Sequence, residues 1–284
     1  MKVYLVARME GVAGLIDGEN WLPAEGRYHD AGRRLLTDEV NAAADGFFAA
    51  GATEVVVDDA HDPEGLDIER LDERCLLLHG LAPDDWPRRI DESCDALAFV
   101  GQYAKAGSTE AHLCHTGPQW RTLDLTVNGL SVGDLGLTVL AASALGVRTV
   151  FVSGDRAACR EAEDLLAGVV TAEVKYGSQP TPGEEWDAAS YRRLNANATH
   201  LSPSRACALI RERAQAALRG TEALSGDQGL RRLDPPYVRV ERFRECNHQP
   251  SGVNRDEHPS DLLALLRIPA RRRPDPGTEA GGRA

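Results

Sequence analysis

The opening residues Met1-Lys2-Val3-Tyr4-Leu5-Val6-Ala7-Arg8-Met9-Glu10-Gly11 decide how the chain reads. An apolar run followed at once by charged residues is a strand that delivers Arg8 and Glu10 at its C-terminal end, the edge where open α/β sheets assemble their sites. Side chains alternate faces along a strand, so Arg8 and Glu10 point the same way. A helix is predicted over residues 30–50, carried by Leu35, Leu36, Val40, Ala44, Phe47 and Phe48, with Gly51 as its C-terminal cap. Thr53-Glu54-Val55-Val56-Val57 reads as the next strand. Strand, helix and strand in this order imply parallel pairing through a right-handed crossover.

Working outward, short strands are predicted at 75–79, 96–101 and 147–153. The segments 122–128 and 130–132 flank Asn128-Gly129, a strong hairpin signal. Asp134 opens a helix that Gly146 closes, and residues 147–152 complete a second strand–helix–strand unit. Another helix starts at Asp155 or Arg156 and runs to about Ala167. Beyond residue 176 the pattern weakens to a loop at 177–183, an amphipathic helix at 203–218 opened by Ser202-Pro203, a strand at 237–243 and a short element at 260–267. The expected class is α/β, a mainly parallel central sheet flanked by helices, with a divergent C-terminal α+β portion. Residues 1–175 form the core that carries the site motifs. Residues 176–269 pack on that core or form an oligomer contact, and 270–284, almost without large apolar residues, are expected to be a disordered tail.

The 284 residues, 42% hydrophobic and 27% charged, describe an ordinary globular chain with ample material for a core. A net charge of −12 argues against a nucleic-acid partner, which selects basic surfaces. The six cysteines are scattered without a CxxC pair, as reduced thiols are. Without a signal-like leader or an apolar run approaching the ~18 residues of a membrane span, the expected location is the cytoplasm, with no membrane partner.

Five segments carry the chemistry: Arg8-Met9-Glu10-Gly11, Asp58-Asp59-Ala60-His61, Gly101-Gln102-Tyr103-Ala104, His112-Leu113-Cys114-His115 and Val132-Gly133-Asp134-Leu135-Gly136. In order and spacing they resemble the motifs of the D-aminopeptidase family of zinc metallopeptidases. That resemblance implies the family's fold, a ring-shaped homo-oligomer and zinc-assisted hydrolysis of the N-terminal bond in short D-peptides. It further implies that Glu10, His61 and Asp134 stand at zinc-ligand positions and His115 at the catalytic histidine. This chain is a divergent member of the pattern with a degenerate metal site. Arg8 stands where the family's bridging Asp is, Tyr103 where a zinc histidine is, and Asp134 where the family has the longer Glu.

Zinc takes about four N, O or S donors at ~2.0–2.3 Å, and Arg8 removes one donor while adding a cation that cannot deprotonate. At an effective dielectric of 20, a guanidinium about 4 Å from a divalent ion costs roughly 8 kcal/mol. Zinc is therefore expected at reduced occupancy or not at all. Arg8 and Tyr103 fall to substrate binding, with Arg8 suited to grip a carboxylate or carbonyl. Structural alternatives stay open: Glu10 as a salt-bridge partner of Arg8, His61 as a turn residue, Asp134 as a helix cap, and Cys114 as a buried filler. His112 and Glu110 are candidate compensating ligands. The functional expectation is a D-aminopeptidase-like amide hydrolase acting on small amino-acyl or peptide substrates, with altered or lost zinc dependence. Its competitor is an inactive descendant that binds a small amino-acid-derived ligand or serves as an assembly partner.

Overall fold

The structure, a computed structural model, describes residues 1–61, 64–80, 89–117, 121–246 and 250–269. The expected tail at 270–284 lies outside the described residues. The first strand, β1 (Lys2–Ala7), leads through a long loop into helix α1 (His29–Ala49) and back to β2 (Glu54–Asp59). Next come β3 (Leu76–Leu78), β4 (Ala96–Gln102), the hairpin β5 (Thr122–Val127) and β6 (Leu130–Ser131), α2 (Asp134–Ala144) and β7 (Arg148–Asp155). Then follow α3 (Arg156–Leu165), β8 (Val170–Gly177), α4 (Ala188–Leu194), β9 (Ala198–His200) and α5 (Pro203–Gly220). Strands β10 (Tyr237–Phe243) and β11 (Gly252–His258) and helix α6 (Leu262–Arg267) complete the described chain.

The main sheet runs β3-β2-β1-β4-β7-β8-β9. Every neighbouring pair is parallel except β8–β9, which is antiparallel. A second, antiparallel sheet runs β11-β10-β5-β6. From Val3 to Ala7, β1 is buried, because both its faces are covered. Val3, Leu5 and Ala7 pack with Leu36, Val40 and Phe47 of α1 and with Ile210 and Ala214 of α5. Tyr4 and Val6 belong to the opposite cluster, with Phe99, Leu135 and Leu140 and the α6 residues Leu265 and Leu266. Burial of each large aliphatic or aromatic side chain contributes about 1.5–3 kcal/mol, so this three-layer packing holds the strand ends still.

The elements expected at residues 2–7, 53–57, 96–101 and 147–153 form the contiguous parallel block β2-β1-β4-β7. Among the described strands and α-helices, four had no counterpart in the sequence. Strand β9 and helix α4 span 3 and 7 residues, too short for a periodic signal. Strand β8 carries Lys175 at a fully buried position, which breaks the apolar alternation. Strand β11 is mostly polar and is held by main-chain pairing to β10. Both β9 and α5 join the main sheet and its core, so residues beyond 176 complete the layer that backs β1.

Candidate active site

Ala7 pairs with Asp59 of β2 and Val100 of β4, which brings the three strand ends together. The chain leaving β1 is tied to β4 twice, by the Arg8 amide donating to the Val100 carbonyl (2.9 Å) and the Gly11 amide donating to the Gly101 carbonyl (2.7 Å). Gly101 has φ 70°, and a Cβ there would overlap the Arg8 carbonyl oxygen, so only glycine fits this approach. Further along the same turn, the Ala13 amide donates to Glu39 Oε1 on α1 at 2.8 Å and the Gly14 amide to His200 Nδ1 at 3.1 Å. From β8, Lys175 Nζ donates to the Glu10 carbonyl.

Arg8, Glu10, His61, Tyr103, His115 and Asp134 form one cluster at these strand ends. On one side, His61 Nδ1 lies 3.4 Å from Glu10 Oε1, and both side chains are more than nine-tenths buried. His61 Nε2 faces the Leu22 carbonyl at 3.3 Å, so both ring nitrogens face acceptors. Burial opposes charge on both partners. For His61 the Glu10 carboxylate and the Leu22 carbonyl outweigh it and lift the imidazole above its ordinary pKa. For Glu10, His61, His115 and Arg8 together outweigh burial and hold the carboxyl below the usual range. The two therefore form an ion pair.

On the other side, the Tyr103 hydroxyl donates to Asp134 Oδ2. Burial first, with Asp134 beside it, pushes the phenol well above its ordinary value, so it donates as a neutral group. Asp134 Oδ1 accepts from the Gly117 amide at 3.2 Å. Asp134 is the first residue of α2 and Gly133 its cap, so the carboxylate is not the helix cap and instead meets Tyr103 and the Gly117 amide. Arg8 Nη2 reaches Asp134 Oδ2 only at 3.8 Å, and its guanidinium carbon lies 5.8 Å from the Tyr103 ring centre. Among the described residues the guanidinium makes no hydrogen bond, although the side chain is only 14% exposed. Burial works against its charge, but Tyr103, Asp134, Glu10 and Asp58 outweigh it and raise the pKa.

His115 stacks on Tyr103, with ring centres 4.0 Å apart and planes 9° from parallel. Its Nδ1 lies 2.8 Å from the Leu113 carbonyl, which can only accept, so Nδ1 carries a proton and Nε2 is the basic nitrogen of the neutral ring.

The two candidate compensating ligands stand apart from the cluster. His112 Nε2 faces the Ile16 carbonyl at 3.1 Å, and burial with Lys175 and His200 nearby pushes its pKa down to about 2. Glu110 pairs with Arg160 at 2.9 Å on the surface. Burial pushes the Cys114 thiol up to about 11, as befits a packed thiol and not a nucleophile.

Lys175 and Glu39, which hold the turn, escaped the sequence reading. Burial pulls Lys175 down to about 8 and pushes Glu39 up to about 8. The only signal for either was a single charge inside an otherwise apolar stripe.

As a metal site, this donor set is poor. Among the described residues no three His, Cys, Asp or Glu side chains are grouped to hold an ion. Glu10 Oε2, buried without a hydrogen-bond partner, is the one orphaned acceptor of the cluster among those residues.

A family model described as D-aminopeptidase matches residues 1–242. A D-aminopeptidase of Bacillus subtilis (strain 168) is 33% identical over 177 residues, covering 62% of this chain and 64% of that relative, so the match spans less than two thirds of the relative's length. The solved structure described as the Zn-dependent D-aminopeptidase DppA from Bacillus subtilis, a self-compartmentalizing protease, superposes with a TM-score of 0.78. It is 26% identical, and the alignment covers 94% of both chains.

Proposed function

We propose, from the premise that this chain belongs to the D-aminopeptidase family, that it acts on small amino-acyl or peptide substrates at a centre where Arg8 replaces paired metal ions. The observation that carries this reading is the guanidinium itself: mostly buried, 3.8 Å from the Asp134 carboxylate and with no hydrogen bond among the described residues. A planar fork of donors held in that way matches a carboxylate or a polarised carbonyl. Arg8 binds and orients the substrate's oxygen atoms, Tyr103 walls the site, and His115 Nε2 takes a proton from the attacking water and returns it to the amine nitrogen that leaves as the C–N bond breaks. Zinc, where bound, activates water and polarises a carbonyl. Glu10, His61 and Asp134 stand at the positions that would hold it, and as arranged here they are not grouped around one ion, so reduced occupancy is proposed. No step of the proposal runs through that ion.

The closed Glu10–His61 pair favours a second reading, a non-catalytic protein that binds a small amino-acid-derived ligand. Homo-oligomerisation is proposed with either reading, from the likeness to a protease described as self-compartmentalizing. No described helix is long and apolar enough to cross a membrane. The deciding experiment assays short peptides with an amino-terminal D-residue, with and without a chelator. Hydrolysis that survives chelation and is lost in His115→Ala supports the first reading. Saturable binding without turnover supports the second, and zinc-dependent turnover that survives Arg8→Ala overturns both.

A further inference from the structure

Asn195, immediately after α4, is fully buried and far in sequence from the site, yet it holds the two peptides that flank the Leu113–Cys114 peptide. Its carbonyl accepts the Leu113 amide at 2.9 Å, and its Nδ2 donates to the Cys114 carbonyl at 2.7 Å. The Cys114 thiol completes the clamp, 3.4 Å from Asn195 Oδ1 and 3.0 Å from the Tyr191 hydroxyl. Between these bonds Leu113 has φ 55°, a left-handed conformation that a bulky residue adopts only when its surroundings impose it. The consequence falls on His115, because it is the carbonyl of this strained residue that receives His115 Nδ1. Stacking on Tyr103 sets the plane of the imidazole but not which of its nitrogens meets the Leu113 carbonyl, since a half-turn of the ring preserves the stack. The Leu113 carbonyl makes that choice.

We propose that Asn195 is a positioning residue: by holding the Leu113–Cys114 backbone in its strained form, it fixes His115 as the Nδ1-protonated tautomer with Nε2 as the basic nitrogen. The proposal deepens the reading of His115 as the proton-transferring group, and its test is independent of turnover. Long-range proton–nitrogen NMR of the full-length labelled protein at pH 8, with the His115 signals assigned by their loss in His115→Gln, reports which nitrogen carries the proton. The wild type is expected to show Nδ1 protonation alone. Asn195→Ala and Asn195→Asp, which remove the donor to the Cys114 carbonyl, are expected to give a mixture of tautomers. Cys114→Ala, which keeps that main-chain acceptor, is expected to leave the ring as it is.

Protonation of Nε2 in the wild type overturns the proposal without any variant. So does an unchanged ring in Asn195→Ala, or a Cys114→Ala protein as perturbed as Asn195→Ala. Should the tautomer respond as expected while His115→Ala leaves peptide hydrolysis and binding intact, the positioning stands and the functional reading of His115 fails.

Discussion

Arg8 and Glu10 leave one strand end two residues apart, and the protein treats their charges differently. Glu10 meets His61 at 3.4 Å in a pair sealed from solvent, with the Leu22 carbonyl on the far side of the ring. Arg8 meets Asp134 at 3.8 Å, and the hydroxyl of Tyr103 already occupies that carboxylate oxygen. The first arrangement balances its charges internally and resists being opened. The second holds a fixed cation beside a carboxylate engaged elsewhere, so its donors remain available to an incoming anion. In the proposed reading, the first half of the cluster supports and the second half binds.

The most forceful way to break the comparison is to restore the residues that the resemblance places in a metal centre. Purified wild-type protein dialysed against buffered zinc is expected to hold well under two ions per chain by elemental analysis. Arg8→Asp with Tyr103→His removes a repulsion worth roughly 8 kcal/mol and adds two donors, so uptake is expected to rise towards two. Tight binding of two ions by the unaltered protein would show that another ligand set operates.

Next in size is the supporting half. Removing one partner of a buried ion pair costs about 3–5 kcal/mol, because the other charge is left in a poor solvent. Glu10→Gln is expected to sit near the low end of that range in urea unfolding, since His61 can shed its proton. Arg8→Ala is expected to cost less than Glu10→Gln, because its ion pair among the described residues is long, at 3.8 Å, and Asp134 keeps its bonds to Tyr103 and Gly117. Equal losses for the two variants would erase the distinction between the halves.

Sharper still is Arg8→Lys, which keeps the charge and loses the fork. Titration with D-alanyl-D-alanine, a minimal D-peptide with a free carboxylate, is expected to show about a tenfold weaker affinity, near 1.4 kcal/mol. The melting temperature should stay within about a degree of the wild type. Intact binding together with a lowered melting temperature would make the arginine structural.

How far these features were legible follows from their length and chemistry. The β1–α1–β2 unit and the Asn128-Gly129 hairpin could be read because apolar runs and glycines mark their ends, and Asn128 and Gly129 do take left-handed φ values of 50° and 79°. The convergence of Arg8, Glu10, His61, Tyr103, His115 and Asp134 was legible from motif order. Their pairing was not: Glu10 reaches His61 rather than Arg8, because the arginine side chain turns towards Asp134 and Tyr103. Partner choice within a cluster depends on ångström-scale placement by elements such as β8 and α1, whose Lys175 and Glu39 hold the turn. A single charge in an apolar stripe does not announce a role of that kind.

The finest test concerns why Arg8 is left available at all. Tyr103 donates to the carboxylate oxygen nearest the guanidinium, and that bond holds Asp134 in place. Tyr103→Phe deletes the hydroxyl while keeping the ring that stacks on His115. Loss of one hydrogen bond to a charged acceptor costs about 1.5–3 kcal/mol before relaxation, but here a compensating partner is close by. Asp134 is expected to close on Arg8 and form a direct pair, so net stability should fall by only about 1 kcal/mol. The cost is then transferred to binding, because a ligand carboxylate must displace Asp134 from the guanidinium. Affinity for D-alanyl-D-alanine is expected to drop about threefold to fivefold, a smaller change than in Arg8→Lys because the fork itself survives. An affinity equal to or above the wild type would mean that Tyr103 does not hold Asp134 away from Arg8, and the binding half of the cleft would need another explanation for its open donors.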